Sequence, residues 1–402
     1  MLVSGVSSAR VGSESGGGRR RLGYLLTATA LTWACAGPVP PDLVITNARV
    51  FTNDTARPWA EAIAIKGQRV VAVGTTESIA ALAGPSTQAI DAGLRVVVPG
   101  FNDARVDLPL EPPTPAALAA LDRAAIARGV TSLQVVAGGS MHALVVAARQ
   151  ATRQARWRLI RAPMDGERPK DEEPYLPPQP GERLFANGVA WTLGTVQSPR
   201  TPVAWARVPT VVRWAYGGED PLVMSSDSDV GSWLAALGDE GLPQVWQRKR
   251  PRLDTPTPVF QRDVASLVQF GVVVAVVPPF TVRSAHSPEV SLGALIDAGI
   301  QLAAGSGGLP NPMSVLTALV DAPGVLGRAL TREEAVRAMT WGSAYAEKAE
   351  RDKGWLGAGT LADLAVLSDD VFTAHFARLR ATTSVLTLVG GTIVYDPGVL
   401  TK

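Results

Sequence analysis

Histidine is scarce in this chain. Three residues in 402, His142, His286 and His375, are far apart in sequence and read as isolated structural or surface side chains. There is one cysteine, Cys35, so no intrachain disulfide can form. Charged residues make up only 18% against 46% hydrophobic, which excludes wholesale disorder and provides for a sizeable core. The formal net charge of +2 is small. Arg10, Arg19, Arg20 and Arg21 against the single acid Glu14 put +3 before residue 35, which leaves the remainder near −1. A near-neutral protein of this kind has no electrostatic case for binding nucleic acid.

The first residues read as a leader. A basic, Gly/Ser-rich start is followed by an apolar run over 22–34, too short to span a bilayer but of the right length for a secretory core segment. Leu31-Thr32-Trp33-Ala34-Cys35 resembles the cleavage box of bacterial lipoproteins, in which the cysteine carries lipid. The alternative is ordinary cleavage at the small-x-small Ala34-Cys35-Ala36. Arg19-Arg20-Arg21-Leu22-Gly23 lacks the rest of a twin-arginine signal. The expectation is a leader over 1–36, export to a bacterial cell envelope, and a peripheral membrane tether through lipid on Cys35.

Both ends of the remaining chain are strand-like. Short apolar runs between 42 and 98 are separated by Asn, Asp and Gly. Near the C-terminus, Gly390-Gly391 between two apolar runs signals a hairpin. This predicts a small β-sandwich built from both termini, 37–97 and 355–402. The middle, 98–354, alternates candidate strands (98–103, 129–136, 157–162, 188–193, 221–226, 251–254, 271–277, 300–305) with Ala/Leu-rich helical stretches such as 115–127 and 232–237. Eight such units in roughly 250 residues match an α/β fold of the (β/α)8 TIM-like barrel type.

Asp42-Leu-Val-Ile-Thr-Asn-Ala-Arg-Val-Phe-Thr and Val98-Pro-Gly-Phe-Asn-Asp-Ala resemble the start of the amidohydrolase superfamily. Leu330-Thr-Arg-Glu-Glu-Ala-Val-Arg-Ala and Lys353-Gly-Trp-Leu-Gly-Ala-Gly-Thr-Leu-Ala-Asp-Leu-Ala-Val-Leu resemble its end. The subgroup it looks most like acts on N-substituted amino acids, formamides and related non-peptide C–N bonds. Between 108 and 129 this chain is much shorter than that subgroup. The resemblance implies a metal, usually zinc, held by imidazoles and a carboxylate so that bound water ionises near neutrality.

The positions that carry that chemistry are replaced. Where the family has His-x-His on the first strand stand Arg105 and Asp107. Two residues apart on a strand, they share one face and are expected to form a mutual salt bridge. The position of the lysine that would help bind the metals is Ala190, the next two histidine positions are Ser225 and Thr255, and the last-strand aspartate is Gly307. No cofactor is therefore expected, although the family would use zinc or another divalent ion. Asp103, Arg105, Asp107, Asp229, Asp254 and Ser306 are the candidate lining of a pocket for an unknown small molecule.

Other constellations compete with this one. Asp103, Asp107, Asp227, Asp229 and Asp254 could offer oxygens to Mg²⁺ or Ca²⁺, with Arg105 as a rival counter-ion. Ala304-Gly305-Ser306-Gly307-Gly308 could be a nucleophile elbow, an anion-binding turn or a plain tight turn. Arg248-Lys249-Arg250 reads as a solvated face, and Trp157, Trp191 and Trp246 as packing around the barrel. Two functions remain open. One is a homologue that has lost metal catalysis and survives as a binding or structural lipoprotein; the other is an active hydrolase of a non-peptide C–N bond working through a metal-free or unusual site.

Overall fold

The alternating blocks in the middle of the chain form eight strands in the computed structural model of the protein. They are β1 (Phe101–Asp107), β2 (Val130–Ala137), β3 (Arg156–Arg161), β4 (Leu184–Leu193), β5 (Leu222–Ser226), β6 (Arg252–Thr255), β7 (Val273–Val276) and β8 (Leu302–Ala304). All are parallel and pair in chain order, the expected α/β (β/α)8 TIM-like barrel. The helices between them include α1 (Pro115–Ile126), α2 (Met141–Gln150), α3 (Val208–Gly217), α4 (Gly231–Glu240), α5 (Pro243–Lys249), α6 (Val264–Phe270) and α7 (Leu292–Asp297), with α8 (Pro312–Val320) after β8. The structure describes residues 39–109, 111, 113–163, 176–177, 179, 182–193, 207–218, 222–226, 230–255, 259–278, 289–308, 310–321 and 327–400.

Local chemistry sets the element ends. Thr114 caps α1 by accepting from Ala117 N, and Pro115, which has no N–H to satisfy, opens the first turn. Leu118, Ala125 and Ile126 then face the sheet. The expected first strand, 98–103, is two elements. Val96–Pro99 pairs with Arg49–Phe51 and Leu364–Leu367 outside the barrel, and β1 starts only after Gly100. An unbroken apolar run conceals this change of sheet, because residues in either sheet are buried.

Two further sheets flank the barrel. One holds Leu43–Thr46, Ala62–Lys66, Arg69–Gly74 and Gln88–Asp91, all from the N-terminal part. The other mixes both ends: Arg49–Phe51, Trp59–Ala60 and Val96–Pro99 with Leu364–Leu367, Ser384–Val389 and Thr392–Tyr395. The predicted Gly390-Gly391 hairpin joins the last two strands. Ile45, Ile63, Val97, Leu364 and Leu386 share one core between the sheets. No helix among the described residues is long and apolar enough to cross a membrane.

The barrel has an apolar outside and a mixed inside. Leu133, Val135, Trp157, Leu159, Trp191, Met224, Leu253 and Val274 belong to one large cluster with helix residues such as Leu144, Trp233, Trp246 and Leu316. Alternation sends the remaining positions inward. There Gln134 of β2 and Arg252 of β6 meet, with Arg252 Nη1 donating to Gln134 Oε1 at 2.6 Å. Barrels of this class are usually filled by branched apolar layers, so this polar centre is a departure. Val136, Ile160, Ala162, Ala190 and Val223 keep a small apolar cluster of their own, as do Ala104, Val273, Ala275 and Ala303. Below them the segment after β8 closes the base. Gln134 Nε2 donates to Ser343 O at 2.9 Å, and buried Lys353 pairs with Glu347 at 2.7 Å and donates to Ser132 Oγ at 2.9 Å.

Candidate functional site

The C-terminal end of β1 is irregular, and that irregularity builds the site. Residues 102–103 and 106–107 keep register with β2, but Asp103 lies opposite Leu133 while Val106 lies opposite Val135. Three steps on β1 therefore match two on β2, a β-bulge. Beyond the bulge Arg105 and Asp107 point into the barrel, whereas Val106 joins the outer core. Before it, Asp103 takes the outward side with Leu133.

Inside the mouth, Arg105 grips two carboxylates. Its Nε and Nη2 donate to Asp107 Oδ2 and Oδ1 at 2.8 and 3.0 Å, a two-point pair. Its Nη1 donates to Asp254 Oδ2 at 3.0 Å. Asp254 in turn receives Arg252 through Nε at 2.6 Å and Nη2 at 2.9 Å. Two cations and two anions alternate, so the cluster is neutral in sum. Burial is deep: side-chain exposure is 5% for Arg105 and 1% for Asp254 and Arg252, rising to 27% only for Asp107. Burial alone would favour a neutral guanidine, but the charges of Asp107 and Asp254 outweigh it and hold Arg105 above its ordinary pKa. The expected Arg105–Asp107 bridge is thus present, and Asp254 and Arg252 extend it.

Asp103 and Ser306 form a second, separate cluster on the other side of β1. Asp103 Oδ1 accepts from Ser306 N at 2.8 Å and from Arg105 N at 3.2 Å. These bonds lie where β8 meets β1, beside the bond from Gly307 N to Arg105 O at 2.8 Å. Gly305 permits that meeting, since a Cβ there would come 2.3 Å from Arg105 N. Burial pushes the Asp103 carboxyl up to about 6, against the opposing pull of its Ser306 and Arg105 bonds and with some help from the Asp107 charge. Phe101, Val130, Ala304, Pro312, Val315 and Met339 surround it with a cavity of about 10 Å³, room for one water.

The other candidate positions are dispersed. Ala190 lies in the small apolar cluster of the mouth, and Thr255 is buried at the end of β6. Gly307 contributes only its backbone. Ser225 lies in β5, its side chain outside the described residues, as are Cys35, Asp227, Asp229 and His286. Ser306 Oγ turns back to Gly308 O at 3.2 Å, in a tight turn. His142 is exposed on α2, and His375 caps the helix Phe376–Ala381. Arg250, expected to be solvated, instead stacks 3.8 Å from the centre of Tyr345 and pairs with Glu350 at 2.8 Å. Among the described residues no three His, Cys, Asp or Glu side chains are grouped as a metal site would need.

The family match falls in the C-terminal half of the chain. Residues 225–395 fit the Amidohydrolase family. "Protein LONG AFTER FAR-RED 3" of Arabidopsis thaliana is 31% identical over 91 residues, 21% of this chain and 16% of that protein. The N-substituted formamide deformylase of Arthrobacter pascens is 40% identical over 63 residues, 16% of this chain and 12% of that enzyme. The matched segments are thus under a fifth of these relatives' lengths. An adenosine deaminase from Xanthomonas campestris with bound zinc has the same fold, with TM-score 0.63, 17% identity, and coverage of 90% of this chain and 95% of that one. The amidohydrolase match over 225–395 takes in Ser225, Thr255 and Gly307, three of the candidate positions, and leaves β1 outside it.

Proposed function

We propose that this chain is an exported, lipid-tethered amidohydrolase homologue that has given up the metal centre and acts by binding a small molecule. One observation carries the reading: the guanidinium of Arg105 occupies the space between Asp107 and Asp254, donating to both at 3.0 Å or less. A divalent ion bound by those two carboxylates would have to sit against a fixed positive charge. Ala190, Thr255 and Gly307 offer it an alkyl group, a hydroxyl and no side chain, so the residues present do not fit a zinc site. The ligand class closest to hand is the N-substituted formamide for which the Arthrobacter pascens deformylase is named. Export and the lipid on Cys35 rest on the leader sequence.

The observation that favours a metal-free hydrolase is Asp103, whose carboxyl is poised near neutrality. Its cavity admits a water, whereas substrate pockets run to several hundred Å³, roughly 300 or more, so binding is the better reading. Elemental analysis tests it. Mature protein purified without added metal is expected to contain well under one equivalent of Zn, Mn, Fe or Ni. Stoichiometric metal that disappears in Asp107→Asn or Asp254→Asn would overturn the proposal.

A further inference from the structure

Beyond the C-terminal ends of β6 and β7, the chain pairs Val259–Phe260 with Glu289–Val290 as a short antiparallel ribbon. Val259 and Val290, opposite each other, are buried in the main core. Alternation puts Phe260 and Glu289, also opposite each other, on the other face. Glu289 is 4% exposed, and its Oε1 is buried with no hydrogen-bond partner. A carboxyl oxygen that has lost water and gained no donor destabilises the fold, and such orphans in native proteins mark an absent ligand, ion or water.

The surroundings indicate which. The guanidinium of Arg262 lies 4.6 Å from the centre of the Phe260 ring, so this ribbon already receives a cation on its aromatic. Arg262 approaches Asp263, at 3.9 Å, and leaves the Glu289 oxygen without a donor. A metal ion would need several oxygen or nitrogen ligands, and no three acidic, His or Cys side chains converge among the described residues. An organic ammonium needs one carboxylate for its N–H and an aromatic or alkyl surface for its carbon part. We propose that Glu289 anchors a small organic ammonium ligand on the mouth side of the barrel, with Phe260 flanking the ligand's apolar part. This extends the binding reading, and it is tested separately, because the metal content concerns Arg105 and its carboxylates alone.

Calorimetric titration of the full mature protein with benzylammonium, against benzyl alcohol as its uncharged counterpart, decides it. Benzylammonium is expected to saturate at millimolar concentration or below, and benzyl alcohol not to bind. Glu289→Gln, with an unchanged near-ultraviolet circular dichroism spectrum, is expected to weaken the amine by at least about tenfold. If that variant does not fold, Glu289→Asp takes its place, with a several-fold weakening expected. The inference fails if wild type shows no saturable amine binding, if the alcohol binds equally, if the Glu289 variants bind as wild type does, or if Mg²⁺ or Ca²⁺ saturates the site instead.

Discussion

Replacing Asp103 by Asn should make the protein more stable at neutral pH and leave it nearly unchanged in acid. The carboxyl is 8% exposed, and burial raises it from the ordinary 3.8 to about 6. The native state therefore holds this proton more tightly than the unfolded chain does. Stability from this group falls as pH rises from about 4 to about 6 and is level above that. At 1.36 kcal/mol per tenfold in proton affinity, the buried charge costs about 3 kcal/mol above pH 6. Asparagine keeps a carbonyl oxygen for the two N–H donors of Ser306 and Arg105 and removes the charge. Urea unfolding of wild type and Asp103→Asn, compared at several pH values between about 4 and 7.5, measures the effect directly. Acid effects of the other carboxylates are common to both proteins and cancel in the difference. The reasoning fails if the two stability curves run parallel, because the gain must open between pH 4 and 6.

Removing the central guanidinium should be costly. Arg105→Met removes the two-point partner of Asp107, while Asp254 keeps Arg252, so a loss of about 3 kcal/mol is expected, at the low end for a broken buried pair. Adding Asp107→Asn should recover part of it, and a loss below about 1 kcal/mol would mean that the cluster does not hold the mouth together. For the tether, Cys35→Ser is expected to move the protein from the membrane to the soluble fraction; unchanged fractionation counts against lipid on that residue.

Much of the architecture could be read in advance because its causes are local. All eight barrel strands lie within a few residues of their apolar runs, since burial on both faces leaves Val- and Leu-rich segments between turn residues. Thr114-Pro115 marks a helix start by capping chemistry alone, and Gly390-Gly391 a hairpin by backbone freedom alone. The Arg105–Asp107 pair was equally legible, because two residues apart on a strand share a face.

Only the folded chain decided what those residues do to one another. Arg105 and Asp254 are 149 residues apart in sequence, and no local rule couples them. The bulge in β1 decided that Asp103 leaves the mouth: a one-residue slip in a strand exchanges its faces, and nothing in Asn102-Asp103-Ala104-Arg105 announces the slip. Glu289 passed unnoticed for a related reason. A glutamate before a helix is an ordinary residue until packing strips its oxygen of water without supplying a donor. The sequence by itself thus determined the scaffold. The tertiary structure decided which charges meet, which stay apart and which are left waiting for a partner, because pairing and burial arise between strands rather than along them.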